Sequence, residues 1–348
     1  MNGEALVLAV DGGGVKTDLA LLRGNGRVLA VVRGGGSSPH HIGVEGSVAL
    51  LERLRAEALR RAGLDAAAVA AAAQILMAGA DLPEERDTLE AAIRRMNWSQ
   101  SLGVENDTLA LLRSGTDRGW GVAVVCGAGL NCIGVAPDGR RARFLALGAI
   151  TGDWGGGGEI GMAALGAAVR SADRRGPKTV LEDVVPAHFQ MAEPLDVSRA
   201  LHLRELSTTQ LGELAPAVFS ACADDQVAAA IVARLADEIV AWAVAAILRL
   251  ELGDGDPDVV LGGGVLRALP SAAIERIADG VTEAAPAARV TLAPSSPIVG
   301  AALLALDELG ADAETAARAR AELDRALGAI EASPPQPDGH ELVRSSRG

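Results

Sequence analysis

Residues 7–18 read Val7-Leu8-Ala9-Val10-Asp11-Gly12-Gly13-Gly14-Val15-Lys16-Thr17-Asp18 and follow from an apolar run that begins at Ala5. The apolar run is too short for a typical helix and is typical of a buried strand. Three consecutive glycines turn that strand, and their backbone N–H groups can approach an anion closely. Lys16 adds a positive charge, Thr17 adds a hydroxyl, and Asp11 is placed to hold Mg²⁺ directly or through water. These residues predict a phosphate-binding hairpin, and a tight glycine turn without a ligand explains them equally well.

A second stretch repeats this arrangement. Residues 121–126 are expected to form a strand, Gly127-Ala128-Gly129 a glycine turn, and residues 131–136 and 140–146 two further strands. In both stretches a second turn follows at nearly the same spacing, near residues 25 and 138. Two lobes that each begin with a β-meander around a glycine turn predict a duplicated α/β fold with a cleft between the lobes. The alternative is a chance similarity in strand spacing.

Apolar spacing, with glycine and proline boundaries, predicts the other elements. Strands are expected at 18–23, 27–33, 73–80, 99–105, 258–261 and 290–292. Helices are expected at 45–62, 83–96, 108–113, 162–172, 237–252, 297–309 and 314–330, and residues 181–236 are expected to be mostly helical. Between them, the glycines, serines and proline of residues 34–41 predict a loop without regular structure.

These elements divide the chain into two lobes and a tail. The N-terminal lobe is expected at residues 1–113 and is completed by a helix near 312–331. The C-terminal lobe is expected at 114–311, with a helical insert at about 162–236. Residues 333–348 carry prolines and few apolar side chains, which predicts a disordered tail.

Charge and composition exclude several classes of partner. The net charge of −13 and the pI near 4.9 argue against a nucleic-acid partner, since neutralising phosphates needs a basic face. No apolar stretch is long enough to predict a membrane span, and the first residues do not predict a signal peptide. Three cysteines without a CxxC pair indicate a reduced setting, so the expected location is the cytoplasm.

Five motifs, in order, resemble those of a known family: Asp11-Gly12-Gly13-Gly14, Glu105-Asn106-Asp107, Gly127-Ala128-Gly129-Leu130-Asn131, Gly152-Asp153 and Leu261-Gly262-Gly263-Gly264. Over roughly residues 5–310 the chain is similar to the N-acetylglucosamine kinase group of the BadF/BadG/BcrA/BcrD ATPase family, within the actin, hexokinase and Hsp70 superfamily. The resemblance implies two ribonuclease-H-like lobes, of the actin-like ATPase kind, that close on ATP, Mg²⁺ and an amino sugar. We also expect a homodimer.

The resemblance implies a role for each matching residue. Asp107 matches the catalytic aspartate, for which the ordinary alternative is a helix N-cap. Nucleotide and phosphate contacts fall on Asp11, Gly12, Gly13, Gly14, Lys16, Thr17, Gly127, Ala128, Gly129, Gly262, Gly263 and Gly264, with Asp11 also the candidate Mg²⁺ ligand. Sugar contacts are expected at Ser38, His40, Asn106, Asn131, Asp153 and Trp154. For Trp154 the alternative is a core side chain, and for His40 a solvated loop residue.

The implied reaction transfers the γ-phosphoryl group of ATP to the 6-hydroxyl of the sugar, with Asp107 as proton acceptor. The chain departs from the family pattern at Val15, Ser38, Ala128, Leu130 and the segment Trp154-Gly155-Gly156. These departures leave the sugar open among N-acetylglucosamine, glucosamine, N-acetylmuramic acid and other amino sugars. Two other functions also stay open: an ATPase activator that holds an iron–sulfur cluster between subunits, and a sugar-sensing paralogue without kinase activity.

Overall fold

The computed structural model describes residues 3–332, which form two α/β lobes on either side of a cleft. The first sheet contains β1 (Leu6–Gly12), β2 (Lys16–Arg23), β3 (Val28–Gly35), β4 (Ala70–Met77) and β5 (Ser99–Glu105), in the order β3-β2-β1-β4-β5. Three helices belong to the same part of the chain: α1 (Pro39–Arg61), α2 (Pro83–Arg94) and α3 (Asp107–Gly115). The expected tail at 333–348 lies outside the described residues.

The second sheet repeats the topology of the first. It contains β6 (Gly121–Cys126), β7 (Leu130–Val135), β8 (Arg141–Arg143), β9 (Asp258–Gly262) and β10 (Arg289–Leu292), in the order β10-β9-β6-β7-β8. In each sheet an antiparallel meander of three strands is followed by two strands that return parallel to the first. The duplicated α/β fold that the glycine turns predicted is therefore confirmed.

Ten helices of the described chain follow β8. Six of them lie between β8 and β9: α4 (Gly157–Ala172), α5 (Leu181–His188), α6 (Pro194–His202), α7 (Thr208–Leu211), α8 (Ala215–Ala221) and α9 (Gln226–Arg249). Two connect β9 to β10, and two follow β10: α10 (Gly264–Ala268), α11 (Ser271–Ala284), α12 (Pro297–Glu308) and α13 (Ala313–Glu331). None of the helices between residues 3 and 332 is long and apolar enough to cross a membrane.

The strand β1 is apolar along its length because helices cover both faces of its sheet. Leu8 and Val10 belong to a core shared with α1 and α2, whereas Val7 and Ala9 belong to a core shared with α12 and α13. Successive side chains of a strand point to opposite faces, so a strand buried on both sides shows no polar alternation. Asp11, near the end of the same strand, is buried as well.

The last two helices of the described chain pack on the first lobe. Helix α12 lies against β1 and β4, although the sequence placed residues 297–309 in the C-terminal lobe. Helix α13 docks on the β2–β3 hairpin, where Glu322 Oε2 accepts a 2.7 Å hydrogen bond from the Val28 N–H. Gly26 is needed at that hairpin, since a Cβ there would lie 2.4 Å from the Thr315 carbonyl oxygen.

Several element boundaries differ from the sequence prediction. The expected loop at 34–41 is partly regular, because β3 runs to Gly35 and α1 starts at Pro39 and is kinked at Gly43. The expected helix at 237–252 begins at Gln226, so the boundary of the helical insert near residue 236 falls inside one continuous helix. Only residues 141–143 of the strand expected at 140–146 are extended in a ladder.

Candidate active site

Three carboxyl groups gather where three parallel strands of the first sheet end. Asp11 is on β1, Asp81 follows β4, and Asp107 follows β5 as the first residue of α3. Because β1, β4 and β5 run parallel, their carboxyl ends meet at one edge of the sheet. The charge of Asp81 raises the pKa of Asp107, and the charge of Asp107 raises that of Asp11, so the three groups lie in electrostatic contact.

The carboxyl group of Asp11 is buried among other acids. Burial raises its pKa to about 8, with further contributions from the charges of Asp107 and Asp18. The charges of Lys16 and Arg33 lower the pKa of Asp11. Both cations are already paired with Asp18, Lys16 at 2.9 Å and Arg33 at 2.6 Å. A buried acid whose neighbouring cations are already paired is a donor suited to Mg²⁺, which prefers carboxylate oxygen. The residues present therefore fit the predicted metal.

Asp107 has the electrostatics of a proton acceptor that works near neutral pH. Removal from water raises its pKa to about 7, and the charge of Asp81 adds to the shift. Hydrogen bonds from the backbone N–H groups of Asp107 and Thr108, at the start of α3, lower the pKa of Asp107. A general base is most effective when its pKa lies near the working pH. The preceding residue, Asn106, is the N-cap of α3, where its side chain accepts from the Thr108 N–H at 3.0 Å.

Asp81 connects the two lobes through hydrogen bonds. The sequence did not indicate it as a site residue. Its Oδ1 accepts hydrogen bonds from the amide nitrogens of Asn106, at 2.7 Å, and Asn131, at 3.0 Å. Asn106 precedes α3 in the first lobe, and Asn131 lies on β7 in the second. Both predicted sugar contacts therefore meet at one carboxylate. The only sequence signal for Asp81 was its position after a strand and a glycine, Gly79.

The first glycine turn is closed by its own backbone. The Gly13 N–H donates to the Lys16 carbonyl at 2.8 Å, and the Ser37 N–H donates to the Gly13 carbonyl at 3.0 Å. Val15 lies exposed at the tip of this turn. Thr17 is fully buried, and its hydroxyl lies 2.8 Å from both the Gly35 carbonyl and Ser37 Oγ. Thr17 and the paired Lys16 therefore stabilise the hairpin itself, which leaves the backbone as the candidate for the predicted anion contact.

The second glycine turn is packed against two other glycine segments. The Gly157 N–H donates to the Gly127 carbonyl at 2.8 Å. A Cβ on Gly156, where φ is 100°, would lie 2.5 Å from the Ala128 carbonyl oxygen. A Cβ on Gly263, where φ is 97°, would lie 2.2 Å from the Cys126 carbonyl oxygen. The structure thus brings together three of the glycine segments that the sequence singled out, 127–129, 155–158 and 262–264.

Glycines at these turns differ in what surrounds them. No atom lies within 4 Å of a Cβ built on Gly127, Gly129 or Gly264, so these positions face open space. Gly262, in contrast, is needed for packing, because a Cβ there would lie 2.4 Å from Leu111 Cδ1. The missing side chains leave room for a phosphate to approach the backbone at these positions. The Gly127 N–H itself donates to the Gly129 carbonyl at 2.9 Å.

A cleft of about 680 Å³ lies between the lobes beside Asp81. The first lobe contributes Asp81, Pro83 and Arg86, and the second contributes residues of the segment after β8 and one face of α9. Asp153, a predicted sugar contact, lines this cleft. A volume of this size is typical of small-molecule sites.

The aromatic side chains that line the cleft are Phe144 and Trp242, and the predicted Trp154 is not among the lining residues. Trp154 packs on the core of the second lobe, with the Arg234 guanidinium 4.1 Å from its ring. Phe144 and Trp242 contact each other, with ring centroids 4.9 Å apart. The chain has no Tyr and only three Phe and four Trp, so two aromatic side chains at one cleft are a marked concentration.

The 34–41 segment reaches the site through His40 and Ser38. His40 Nε2 lies 2.7 Å from Glu85 Oε1, and the ligand atoms of His40, Asp81 and Glu85 all lie within 4.8 Å of one another. Ser38 is buried against Gly79, where a Cβ would come within 2.8 Å of Ser38 Oγ. His40 therefore lies close to the Asp81 carboxylate at the cleft, whereas Ser38 packs against the backbone at Gly79.

Two solved structures share this architecture. A protein assigned as an N-acetylglucosamine kinase from Chromobacterium violaceum is 23% identical, with a TM-score of 0.66 over 87% of this chain and 99% of that one. A ROK family glucokinase from Streptomyces griseus, solved with glucose and AMPPNP, is 20% identical, with a TM-score of 0.51 and coverage of 87% and 99%. These similarities show the two-lobed fold.

Two characterised relatives are similar in sequence. An N-acetylmuramic acid/N-acetylglucosamine kinase from Clostridium acetobutylicum is 31% identical over 215 residues, which cover 62% of this chain and 70% of that protein. An N-acetyl-D-glucosamine kinase from Dictyostelium discoideum is 26% identical over 316 residues, 87% of this chain and 98% of that protein. The sequence pattern of one family extends over residues 8–305 and so includes both glycine turns and all three carboxyl groups. By this match the chain belongs to the BadF/BadG/BcrA/BcrD ATPase family.

Proposed function

We propose that this protein is an ATP-dependent sugar kinase that phosphorylates an amino sugar, N-acetylglucosamine or a close relative, at its 6-hydroxyl. One observation carries the proposal: Asp107 has a pKa of about 7 and lies next to Asp81, which is bonded to both lobes at the edge of the cleft. Phosphoryl transfer needs a positioned hydroxyl, neutralised phosphate charge and a proton acceptor. The site offers a residue for each of these requirements.

In the proposed reaction, Asp81, Asn131 and Asp153 orient the sugar. Asp107, ionised, accepts the proton of the 6-hydroxyl while the sugar oxygen forms a bond to the γ-phosphorus. The bond between that phosphorus and the bridging oxygen of the β-phosphate breaks, and ADP leaves. Closure of the lobes on both substrates excludes water, which limits hydrolysis of ATP.

The nucleotide would lie along the glycine turns. The phosphates would be bound by backbone N–H groups of the turns at 12–14 and 127–129 other than those of Gly13 and Gly127, which donate to the Lys16 and Gly129 carbonyls. The open position at Gly264 would lie beside the adenosine. Asp11 would hold Mg²⁺, which neutralises phosphate charge when bound. We place this reaction in the cytoplasm, where the free thiols of Cys126, Cys132 and Cys222 stay reduced.

The test is ADP release from ATP and Mg²⁺ with N-acetylglucosamine, glucosamine, N-acetylmuramic acid, N-acetylmannosamine and glucose. One amino sugar should stimulate release, and phosphorus NMR of the product should show a 6-phosphate. Asp107→Asn should lower kcat by about 10² to 10⁴ while ATP binding, measured by calorimetry, stays within a few fold. Asp173→Asn, which changes an exposed acid bonded to Arg175, is the matched control.

Two outcomes would contradict the proposal. Normal turnover by Asp107→Asn would remove the assigned base. ATP binding without stimulation by any of the sugars would favour the sugar-sensing or activator alternatives. The iron–sulfur activator gains no support from the cysteines, because Cys126 and Cys132 are buried in the core of the second lobe and burial raises the pKa of both thiols.

A further inference from the structure

One face of α9 forms a long wall of the cleft. Glu238, Ala241, Trp242, Ala245 and Arg249 all line it, at helical spacing. Glu238 and Arg249 stand eleven positions apart, which at 1.5 Å per residue is about 16 Å along the helix. The wall is therefore much longer than one pyranose ring, and its two ends carry opposite charges.

Arg249 presents an unpaired guanidinium at one end of this wall. Its Nη1 donates to the Arg143 carbonyl at 3.0 Å, and its Cζ lies 4.9 Å from the centre of the Phe144 ring. Within residues 3–332 it forms no ion pair with a carboxylate, and it is exposed. A guanidinium has five N–H donors in a rigid fork, so most of them remain free here.

The other arginines at this end of the wall are paired with carboxylates. Glu105 pairs with Arg141 at 2.9 Å and with Arg143 at 2.6 Å. On the other side of the cleft, Arg86 pairs with its neighbour Asp87 at 2.9 Å and also interacts with the charges of Glu105 and Glu90. Arg86, Arg141 and Arg143 are thus each paired with a carboxylate, whereas Arg249, among residues 3–332, is not. An arginine at a cleft without a carboxylate partner favours an anionic ligand group.

The Arg249 end of the wall is continuous with the site proposed for the sugar. Asp81, Arg143 and Phe144 line both the main cleft and the small pocket that contains Asn106 and Asn131. A sugar held by Asp81 and the two amides would therefore extend any large substituent along Phe144 and Trp242. Arginine is suited to receive a carboxylate at the far end, because its fork matches both oxygens.

We propose that Arg249 and the aromatic wall beside it form a subsite for an anionic substituent of the sugar, so that the preferred substrates are amino sugars carrying a carboxylate. This inference rests on the proposed function and adds the specificity of the same site. Phe144 and Trp242 contact the carbon chain of the substituent, and Arg249 binds its carboxylate. The charge of the substituent, not its size alone, determines the preference.

Three probes separate charge from size: N-acetylglucosamine, N-acetylmuramic acid, and the methyl ester of N-acetylmuramic acid. For the wild-type protein, kcat/KM should be at least ten-fold higher for N-acetylmuramic acid than for its ester. Arg249→Gln should remove that preference, lowering kcat/KM for N-acetylmuramic acid at least ten-fold more than for N-acetylglucosamine. Calorimetric titration of N-acetylmuramic acid into both proteins gives the same comparison without turnover.

The matched control is Arg170→Gln. Arg170 is also exposed near the end of a helix, α4, and also donates to a backbone carbonyl, that of Arg175, at 2.7 Å, but it is not part of the cleft. The control should keep the wild-type preference. An equal loss for all three sugars in Arg249→Gln, or equal use of acid and ester by the wild type, would overturn the subsite. Failure to phosphorylate any sugar would instead overturn the proposed function, and calorimetry would still decide whether Arg249 binds the carboxylate.

Discussion

At the scale of single residues, the position of Asp81 gives it two effects on the site. It accepts hydrogen bonds from the first and the second lobe, and its negative charge raises the pKa of Asp107. A carboxyl group with a pKa of about 7 is half protonated at neutral pH and accepts no proton in that form. The activity is therefore expected to rise with pH through the neutral range.

This effect can be measured through the variant Asp81→Asn. Without the neighbouring charge, the pKa of Asp107 should fall, and the acid limb of the pH profile of kcat/KM should move to lower pH by roughly one unit. The absolute rate should also fall, because a sugar contact is altered, so the position of the limb is the readout. Glu84→Gln, an exposed acid on α2, is the control. An unshifted limb in Asp81→Asn would show that Asp107 is not the titrating base.

The residues that the sequence did and did not indicate differ in a physical way. Asp11 is indicated by its place at a strand end beside a glycine turn, and Asp107 by its match to the catalytic aspartate of the family that the motifs resemble. Asp81 was missed because its importance comes from Asn106 and Asn131, which are 25 and 50 positions away in the chain. Trp154 was chosen for its glycine neighbours, but its side chain packs on the second core, and Trp242, from the middle of an apolar helix, lines the cleft.

At the scale of elements, the turn between β9 and α10 depends on one glycine. Gly263 has φ of 97° and comes so close to Cys126 that a Cβ would lie 2.2 Å from its carbonyl oxygen. Gly263→Ala should therefore lower the free energy of unfolding by roughly 2 to 4 kcal/mol, through backbone strain and the displacement of β6. Urea denaturation followed by circular dichroism measures this change.

The neighbouring glycine supplies the comparison. Gly264 is in the first turn of α10 with nothing within 4 Å of a Cβ, so Gly264→Ala should stay within about 1 kcal/mol of the wild type. Equal losses of stability in the two variants would show that the close approach to Cys126 does not control this turn.

Element boundaries were the least predictable part of the fold. The sequence shows where strands begin because glycines and acids flank them, and residues 99–105 and 121–126 were predicted with the observed bounds. The start of α9 was missed by eleven residues, since the alanine-rich stretch before Asp237 has no break. Its actual start is set by Asp225, which accepts from the Val227 and Ala228 N–H groups, each at 2.9 Å.

At the scale of the whole molecule, the two acids with raised pKa values make stability depend on pH. The pKa of Asp11 is about 8 and that of Asp107 about 7, against 3.8 for an ordinary aspartate. Between these values the folded protein binds more protons than the unfolded chain. The stabilisation from these groups is complete below about pH 4 and is lost as the pH rises through 7 and 8, so the free energy of unfolding should fall over this range.

Chemical denaturation in EDTA at pH 5.5 and pH 8 tests the sign. The wild type should lose at least about 1 kcal/mol more than Asp11→Asn over this interval, because the variant has no proton to lose at that position. Added Mg²⁺ should reduce the loss in the wild type, since a bound cation stabilises the ionised form. Parallel behaviour of the two proteins would show that Asp11 is already ionised in the folded state.

The expected homodimer stays a prediction that light scattering of the native protein can test.

The return of α12 and α13 to the first lobe has a consequence for synthesis of the protein on the ribosome. The core on the helical side of the second lobe uses buried residues between Val122 and Ala285, so that side can pack while the last helices are still in the exit tunnel. The other face of the second sheet, with Ala123, Ile133 and Val260, shares a core with α12. One face of the first sheet, including Val7, Ala9, Ala20 and Leu22, is covered only by helices translated after it. The first lobe is thus completed only after the second has been translated, and until α12 and α13 arrive its open sheet is a surface that a ribosome-associated chaperone would meet.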